Sequence, residues 1–412
     1  MRALTPRQTL FILTGLNLFN YFDRYVLSAV LPSLQADLKI DDERAGQLAT
    51  IFMLGYFVTA PFFGWLGDRA SRKWLIAGGI LIWSSATVMT GFAGSLAVML
   101  FWRALVGVGE ASYATVSPAW LSDVYPPEKR NTALTFFYTA IPLGAAAGTL
   151  VGAAIAAHHG WRHAFIWAGA PGLLLALLLL PFKEPARTTD GTPSDHKLPG
   201  LRDIGQLLRR ADYNFSVWGY TAYTFALGAM AHWGPSFLHR AHGMTVQAAA
   251  GFFGPLLVVA GLGGTLVGGL AASAWRRRHP SGYAGLLAVS MLLGAPAAWL
   301  AFTLPGQTAS MTALAVAMFC CFLGTGPINT LILESAPAAL RASAMAGSIF
   351  IIHLFGDLWS PYIVGKLSDH WGNIRPALLI LPVALLTAGI LWGILAWKQH
   401  LGGKAVKEPS LM

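Results

Sequence analysis

Apolar runs of about twenty residues return along the whole chain, separated by short polar breaks. A run of that length as a helix matches the hydrocarbon thickness of a bilayer. The pattern predicts spans near 8–31, 45–66, 74–94, 97–121, 131–157, 162–182, 213–240, 245–272, 282–303, 309–333, 342–366 and 374–397. In lipid every backbone N–H and C=O must find its partner within the protein, and runs this long satisfy that as helices rather than as barrel strands. The expected fold class is therefore an all-α membrane protein with twelve transmembrane helices.

The longest polar stretch, 183–212, mixes Pro, Thr, Asp, Lys and Arg and divides the chain into two six-span halves. The expected organisation is a six-helix bundle over 1–182, a cytoplasmic linker over 183–212 and a second six-helix bundle over 213–412. A repeat supports the cut. Asp123, Pro126 and Arg130 follow the fourth span, and Glu334, Pro337 and Arg341 follow the tenth with the same spacing. Parallel repeats of this kind imply two bundles with a site between them. In the fifth span Gly144, Gly148 and Gly152 share one face, a stripe that lets helix backbones approach closely, and Pro142 is placed to kink that helix.

Composition narrows the function. The chain is 55% hydrophobic and only 11% charged, too apolar for a soluble core of 412 residues. Its net charge of +10 invites a nucleic-acid partner, but placement argues otherwise. With the N-terminus inside, twenty of the 28 Lys and Arg fall in inner loops and termini, six in outer loops, and Arg24 and Arg103 within spans. That asymmetry orients a membrane protein. It gives a multi-pass protein of the inner (plasma) membrane with both termini cytoplasmic, contacting membrane lipids and no nucleic acid, and expected to act as a monomer. The first apolar stretch holds Asp23-Arg24 and no small-residue cleavage site, so it is not a cleavable signal. Cys320 and Cys321 are adjacent in an apolar run and read as packing residues, not a metal or disulfide site.

Asp23, Arg24, Arg103 and Glu110 stand inside spans. A charge at bilayer depth costs several kcal/mol and marks an ion or substrate path by default. Asn20, Asp23 and Arg24 share one helix face, and Arg103 and Glu110, seven residues apart, share another. Two acids and two bases are neutral together; protonating Asp23 and Glu110 leaves two free arginines for an anionic group. Static salt bridges are the alternative for the same four residues. Protons are the coupling ion expected, with no other cofactor and no metal.

At the inner boundary after the second span stands Gly64-Trp-Leu-Gly67-Asp68-Arg69-Ala-Ser-Arg72-Lys73. Asp68 is placed to dock on a helix N-terminus, and Arg72 or Arg130 to pair with Asp123, which together would form an inner latch. Glu334 and Arg341 are its second-half candidates. The segment 64–73 resembles the loop signature of the major facilitator superfamily, and Arg103-x-x-x-Gly107 resembles its membrane-embedded arginine motif. Asn20-Tyr21-Phe22-Asp23-Arg24, Ala60-Pro61-Phe62-Phe63-Gly64 and Gly109-Glu110-Ala111-Ser112-Tyr113 through Pro118 resemble a bacterial member of the Spinster-like branch. The loop after the eighth span, ending Trp275-Arg-Arg-Arg278, departs from the pattern by lacking Gly-Asp, so no equivalent acid latch is expected there.

The resemblance implies proton-linked movement of amphipathic lipids, such as lysophospholipids or sphingoid phosphates, by alternating access. Aromatic-acid and sugar-acid symporters share the Asn-Tyr-x-Asp-Arg opening, so small organic acids are the alternative cargo. Asp23 and Glu110 are then the proton-coupling candidates. Arg24, Arg103, Asn20, Tyr21, Tyr113, Tyr220, Tyr223, Asn329, His353 and Asp357 are the substrate-binding candidates, and Asp68, Arg69, Arg72, Asp123, Arg130, Glu334 and Arg341 the gating ones. An enzyme is excluded by the lack of a zinc-binding His-Glu-x-x-His, a nucleophile elbow or paired aspartates within the spans. A channel leaves the duplicated inner motif unexplained.

Overall fold

In a computed structural model of the chain, residues 2–3, 5–67, 69–179, 182–183, 205, 207–336 and 340–405 are described. The architecture is all-helical. Among the described residues the only strand pairing is a two-residue parallel bridge of Arg2–Ala3 with Phe182–Lys183. The first helices are α1 (Pro6–Leu38), α2 (Asp42–Gly67), α3 (Arg72–Thr90), α4 (Leu96–Val124), α5 (Pro127–Tyr138), α6 (Ala140–His159) and α7 (Trp161–Leu179), followed by α8 (Ala211–His242). Each expected span overlaps helix among the described residues, and eight helices there are long and apolar enough to cross a membrane.

Local chemistry sets where the helices begin and break. Thr5 and Gln8 form a reciprocal capping box at the start of α1, with Pro6 in the first turn, where its missing N–H costs nothing. Ser95 caps α4 through the Val98 N–H. Proline accounts for three interruptions, because its ring clashes with the carbonyl four residues back and offers that carbonyl no N–H. Pro142 opposes Tyr138, where α5 ends. Pro327 opposes Leu323, where Gln307–Leu323 gives way to Thr325–Ser335. Pro361 opposes Asp357, the last residue of a π-helical turn over His353–Asp357.

The described chain forms two compact units. One gathers Met1–Ser194, His232–Leu257 and Pro361–Asp369; the other gathers Asp195–Ala231, Val258–Ser360 and His370–Met412. In the first, α1 lies against α6 along the glycine stripe. A Cβ on Gly144 would overlap the Leu18 carbonyl, one on Gly148 the Phe22 carbonyl, and one on Gly152 would come within 3.3 Å of Val26 Cγ2. The stripe therefore seats α1 and fixes which of its faces turns towards α2 and α4. That face holds the charges. A core of Leu13, Leu16, Ile80, Trp83, Tyr113 and Phe137 fills the space beside it.

Candidate functional site

Asp23, Arg103 and Glu110 are each at most 2% exposed, and Asn20 is 1% exposed. The structure brings the two predicted faces together. Arg24 on α1 forms a salt bridge with Glu110 on α4, its Nη2 donating at 2.6 Å and its Nε at 3.2 Å to the same Oε2. The Arg24 side chain remains a quarter exposed while Glu110 is fully buried, so the pair has one accessible end and one closed end. Asp23 lies among Trp83 and Thr87 of α3 and within the field of Arg103. Asn20 stands beside Glu110.

The cluster is only partly satisfied. Asp23 Oδ1, Glu110 Oε1, Arg103 Nε and Asn20 Nδ2 are buried and have no hydrogen-bond partner. A buried polar group in that state costs about 1–3 kcal/mol, and more when charged. Aromatic rings surround the two guanidinium groups. Arg24 Cζ lies 4.8 Å from the ring centre of Tyr21, 4.9 Å from that of Phe52 and 5.7 Å from that of Tyr56, and Arg103 Cζ lies 4.9 Å from Phe52. Chemically the site holds two guanidinium groups beside two buried carboxyl groups, with Arg24 paired to Glu110.

The other substrate candidates are spread more widely. Tyr113 is fully buried in the core, its hydroxyl donating to the Leu13 carbonyl and its ring edge-on to Trp83 at 5.6 Å. Its placement is that of a core residue bracing α4 on α1. In the second unit the π-helical turn places His353 Nδ1 2.9 Å from Asp357 Oδ1. Tyr220 and Tyr223 have ring centres 6.0 Å apart, and Tyr223 also meets Trp392. Asn329 is exposed and donates to the Thr325 carbonyl within its own helix.

Of the gating candidates, Asp68 and the side chains of Arg130 and Arg341 lie outside the described residues. Arg72 pairs with Asp123 and reaches the Gly67 carbonyl. Arg69 donates to the Trp65 carbonyl and covers that indole at 4.7 Å. In the second unit Glu334 pairs with Arg276 at 3.4 Å, both more than a third exposed. The loop that lacks Gly-Asp thus still supplies a base to the acid of the repeated motif.

One network escapes sequence reasoning. Asp42, the first residue of α2, accepts from Arg240 Nη1 (2.7 Å) and Nη2 (2.6 Å), Gln35 Nε2 (2.7 Å) and Ser368 Oγ (2.5 Å). Asp369 accepts the Asp42 and Glu43 backbone N–H groups, capping α2 from a distant helix, and Tyr362 donates to Glu43. Trp233 Nε1 donates to the Pro361 carbonyl at 3.0 Å. All of this lies within the first unit. Its partners stand up to 327 residues apart, and no local spacing announces them. Phe52 and Tyr56 were also missed, although their spacing of four places them on the same face of α2. Nearby, hydrogen bonds from Arg162 and Trp161 hold the exposed Asp37 carboxyl below the usual carboxylate range, Arg162 contributing most.

The Major Facilitator Superfamily profile matches residues 13–356. A sphingosine-1-phosphate transporter of Danio rerio is 33% identical over 401 residues, covering 90% of this chain and 77% of its own length. Protein spinster of Drosophila melanogaster is 33% identical over 378 residues; the match covers 88% of this chain and 62% of the fly protein, so the chain spans less than two thirds of that relative. Among solved structures, an inward-facing, unoccupied bacterial homologue of the human lysosomal transporter Spinster superposes with a TM-score of 0.85 at 22% identity, covering 96% of this chain and 98% of that one. That likeness speaks to the fold.

Proposed function

The chain belongs to the Major Facilitator Superfamily and, within it, to the Spinster branch, and from that premise we propose that it is a proton-coupled carrier of amphipathic, anionic lipid-like molecules. The cargo class is a lysophospholipid or a sphingoid phosphate, a single tail on a phosphate-bearing headgroup. Transport proceeds by alternating access between two six-helix bundles, 1–182 and 213–412, joined by the linker 183–212. In this reading twelve helices cross the inner membrane with both termini in the cytoplasm.

The observation that supports it is the half-paired cluster. Glu110 holds Arg24, whereas Asp23 and Arg103 are buried beside them with atoms unpartnered. Protonating Glu110 removes the counter-charge from Arg24, whose exposed end is then free to take a phosphate in bidentate fashion. Protonating Asp23 does the same for Arg103. Deprotonation returns each arginine to its internal acid. Asp23 and Glu110 thus set the affinity of one cationic site, and the Arg72–Asp123 and Arg276–Glu334 pairs tie down the loops that must move.

The test is flux into proteoliposomes under an imposed pH gradient, offering a lysophospholipid, a sphingoid phosphate and a sugar acid. Lipid flux should follow the gradient and lose that dependence in Asp23→Asn while the protein stays folded. Wild-type coupled flux in Asp23→Asn removes Asp23 from the mechanism. Gradient-driven flux of the sugar acid alone keeps the site and replaces the cargo with the small-acid alternative.

A further inference from the structure

Two arginines share one phenyl ring. The guanidinium carbons of Arg24, on α1, and Arg103, on α4, each lie 4.9 Å from the ring centre of Phe52, on α2. The two cations are therefore no farther apart than twice that distance, inside a region where Phe52 is 3% exposed. The backbone that carries the ring is held firmly. The Phe52 carbonyl sits where a side chain on Gly107 would fall, so α2 and α4 touch backbone to backbone one turn beyond Arg103.

We infer that Phe52 is a positioning residue of the proton-coupled site, a common neutral seat that stabilises Arg24 and Arg103 when their acids are protonated. The inference rests on the reading of Asp23 and Glu110 as proton-coupling acids and adds to it a third, uncharged participant. An ion pair satisfies a guanidinium mainly through its carboxylate. Once that carboxylate is neutral, the remaining attraction comes from the electron-rich faces around the cation, and that attraction strengthens as the site dries. Phe52 faces Arg24 from α1 and Arg103 from α4 and stands beside Tyr56 on α2, and the titratable groups around those two cations are Asp23 and Tyr21 from α1 and Glu110 from α4. Farther out, Tyr138 lies within reach of Tyr56 and His232 of Arg103. Among the described residues Tyr21 and Tyr56 lie against Arg24, and Phe52 alone lies against both cations.

The sign follows. A ring that favours the proton-loaded state makes the acids hold their protons to higher pH. Stripping its electrons, with its shape kept, must move the pH midpoint of transport downwards. A cation–π contact is worth roughly a 2- to 30-fold change in an equilibrium, which corresponds to a shift of about 0.4–1.5 pH units.

The experiment replaces Phe52 with mono-, di- and trifluorophenylalanine and with cyclohexylalanine by suppression of an amber codon, and measures the pH profile of lipid flux in proteoliposomes. Glu110→Gln and Asp23→Asn in the same assay are the controls on the underlying reading. A midpoint that falls stepwise with fluorination, with thermal stability constant across the series, supports the inference. A midpoint that stays fixed across the series while either control abolishes pH dependence overturns the role of Phe52 and keeps the coupling site. If Glu110→Gln and Asp23→Asn both leave the profile unchanged, the coupling reading fails and this inference with it. Loss of stability in step with fluorination assigns Phe52 to packing and overturns the inference.

Discussion

Asp42→Asn tests whether a few polar contacts hold the two distant segments, His232–Leu257 and Pro361–Asp369, on the N-terminal helices. The carboxylate accepts four hydrogen bonds at 2.5–2.7 Å, two of them from one guanidinium, and its side chain is 8% exposed. An amide keeps one acceptor oxygen and turns two N–H groups towards Arg240. Hydrogen bonds to charged groups are worth about 1.5–3 kcal/mol, and breaking a buried pair from one side costs about 3–5 kcal/mol. The Arg240 side chain is 30% exposed, so water recovers part of that loss, and about 3 kcal/mol is a fair figure. At 1.4 kcal/mol per tenfold this is roughly a hundredfold shift towards the state with the network open.

The neighbouring residue supplies the control. Asp41 meets Arg44 at 3.8 Å with both side chains about half exposed, a pair worth under about 1 kcal/mol, and Asn at position 41 still caps the Arg44 N–H. The assay places a reporter by Ala45→Cys, at a fully buried position, in a background with Cys320→Ala and Cys321→Ala, and follows its reaction with a maleimide. Labelling should run about a hundredfold faster in Asp42→Asn than in Asp41→Asn. Equal rates in the two would refute the claim that the Asp42 network holds this region shut.

Two further outcomes follow from the first unit. Gly148→Ala should destabilise the protein by about 1–3 kcal/mol because its Cβ meets the rigid Phe22 carbonyl, whereas Gly152→Ala should be tolerated because its nearest neighbour is a Val26 methyl group; thermal melts of the two variants decide it, and equal losses would sink the packing argument. Asp37 is held below the usual carboxylate range by Arg162, so its contribution to stability is present above the ordinary Asp value near ~3.9 and is lost as pH falls through the lower folded value. Arg162→Ala should therefore flatten that part of the acid limb of an unfolding profile and leave the neutral region nearly unchanged, as expected of an exposed pair.

The sequence made legible whatever depends on local contrast. Polar residues inside apolar runs identified Asn20, Asp23, Arg24, Arg103 and Glu110, since a charge in lipid is conspicuous without any knowledge of its neighbours. The glycine stripe was equally clear, because close backbone approach needs small residues at helical spacing. Tyr113 shows the limit. Its motif placed it beside Glu110, and their spacing of three puts both on one side of α4, yet its ring packs edge-on against Trp83 in the core while Glu110 reaches Arg24. The Asp42 network was silent for a different reason. Arg240, Ser368 and Asp369 sit at span ends, where polar residues are ordinary, and only folding across the two halves makes them partners.

The same distinction explains why the charged site is built as it is. Four charges that satisfied one another completely would be static salt bridges, stable and chemically inert. Here the Arg24–Glu110 pair is complete on one oxygen and open on the other, and Asp23 and Arg103 each keep an unpartnered buried atom. A fold that needed only stability would replace such a cluster with apolar side chains, at no cost or at a gain of about 1–4 kcal/mol. On the proposed reading it is kept because the groups change partners, a cluster balanced between two protonation states being tipped by one proton. The aromatic seat under both arginines fits that logic, since it holds the cations in place without competing for their charge. The static salt-bridge alternative and the poised site separate on one measurement, since static pairs leave the pH profile of transport unchanged in Asp23→Asn, whereas a poised site loses its pH dependence there.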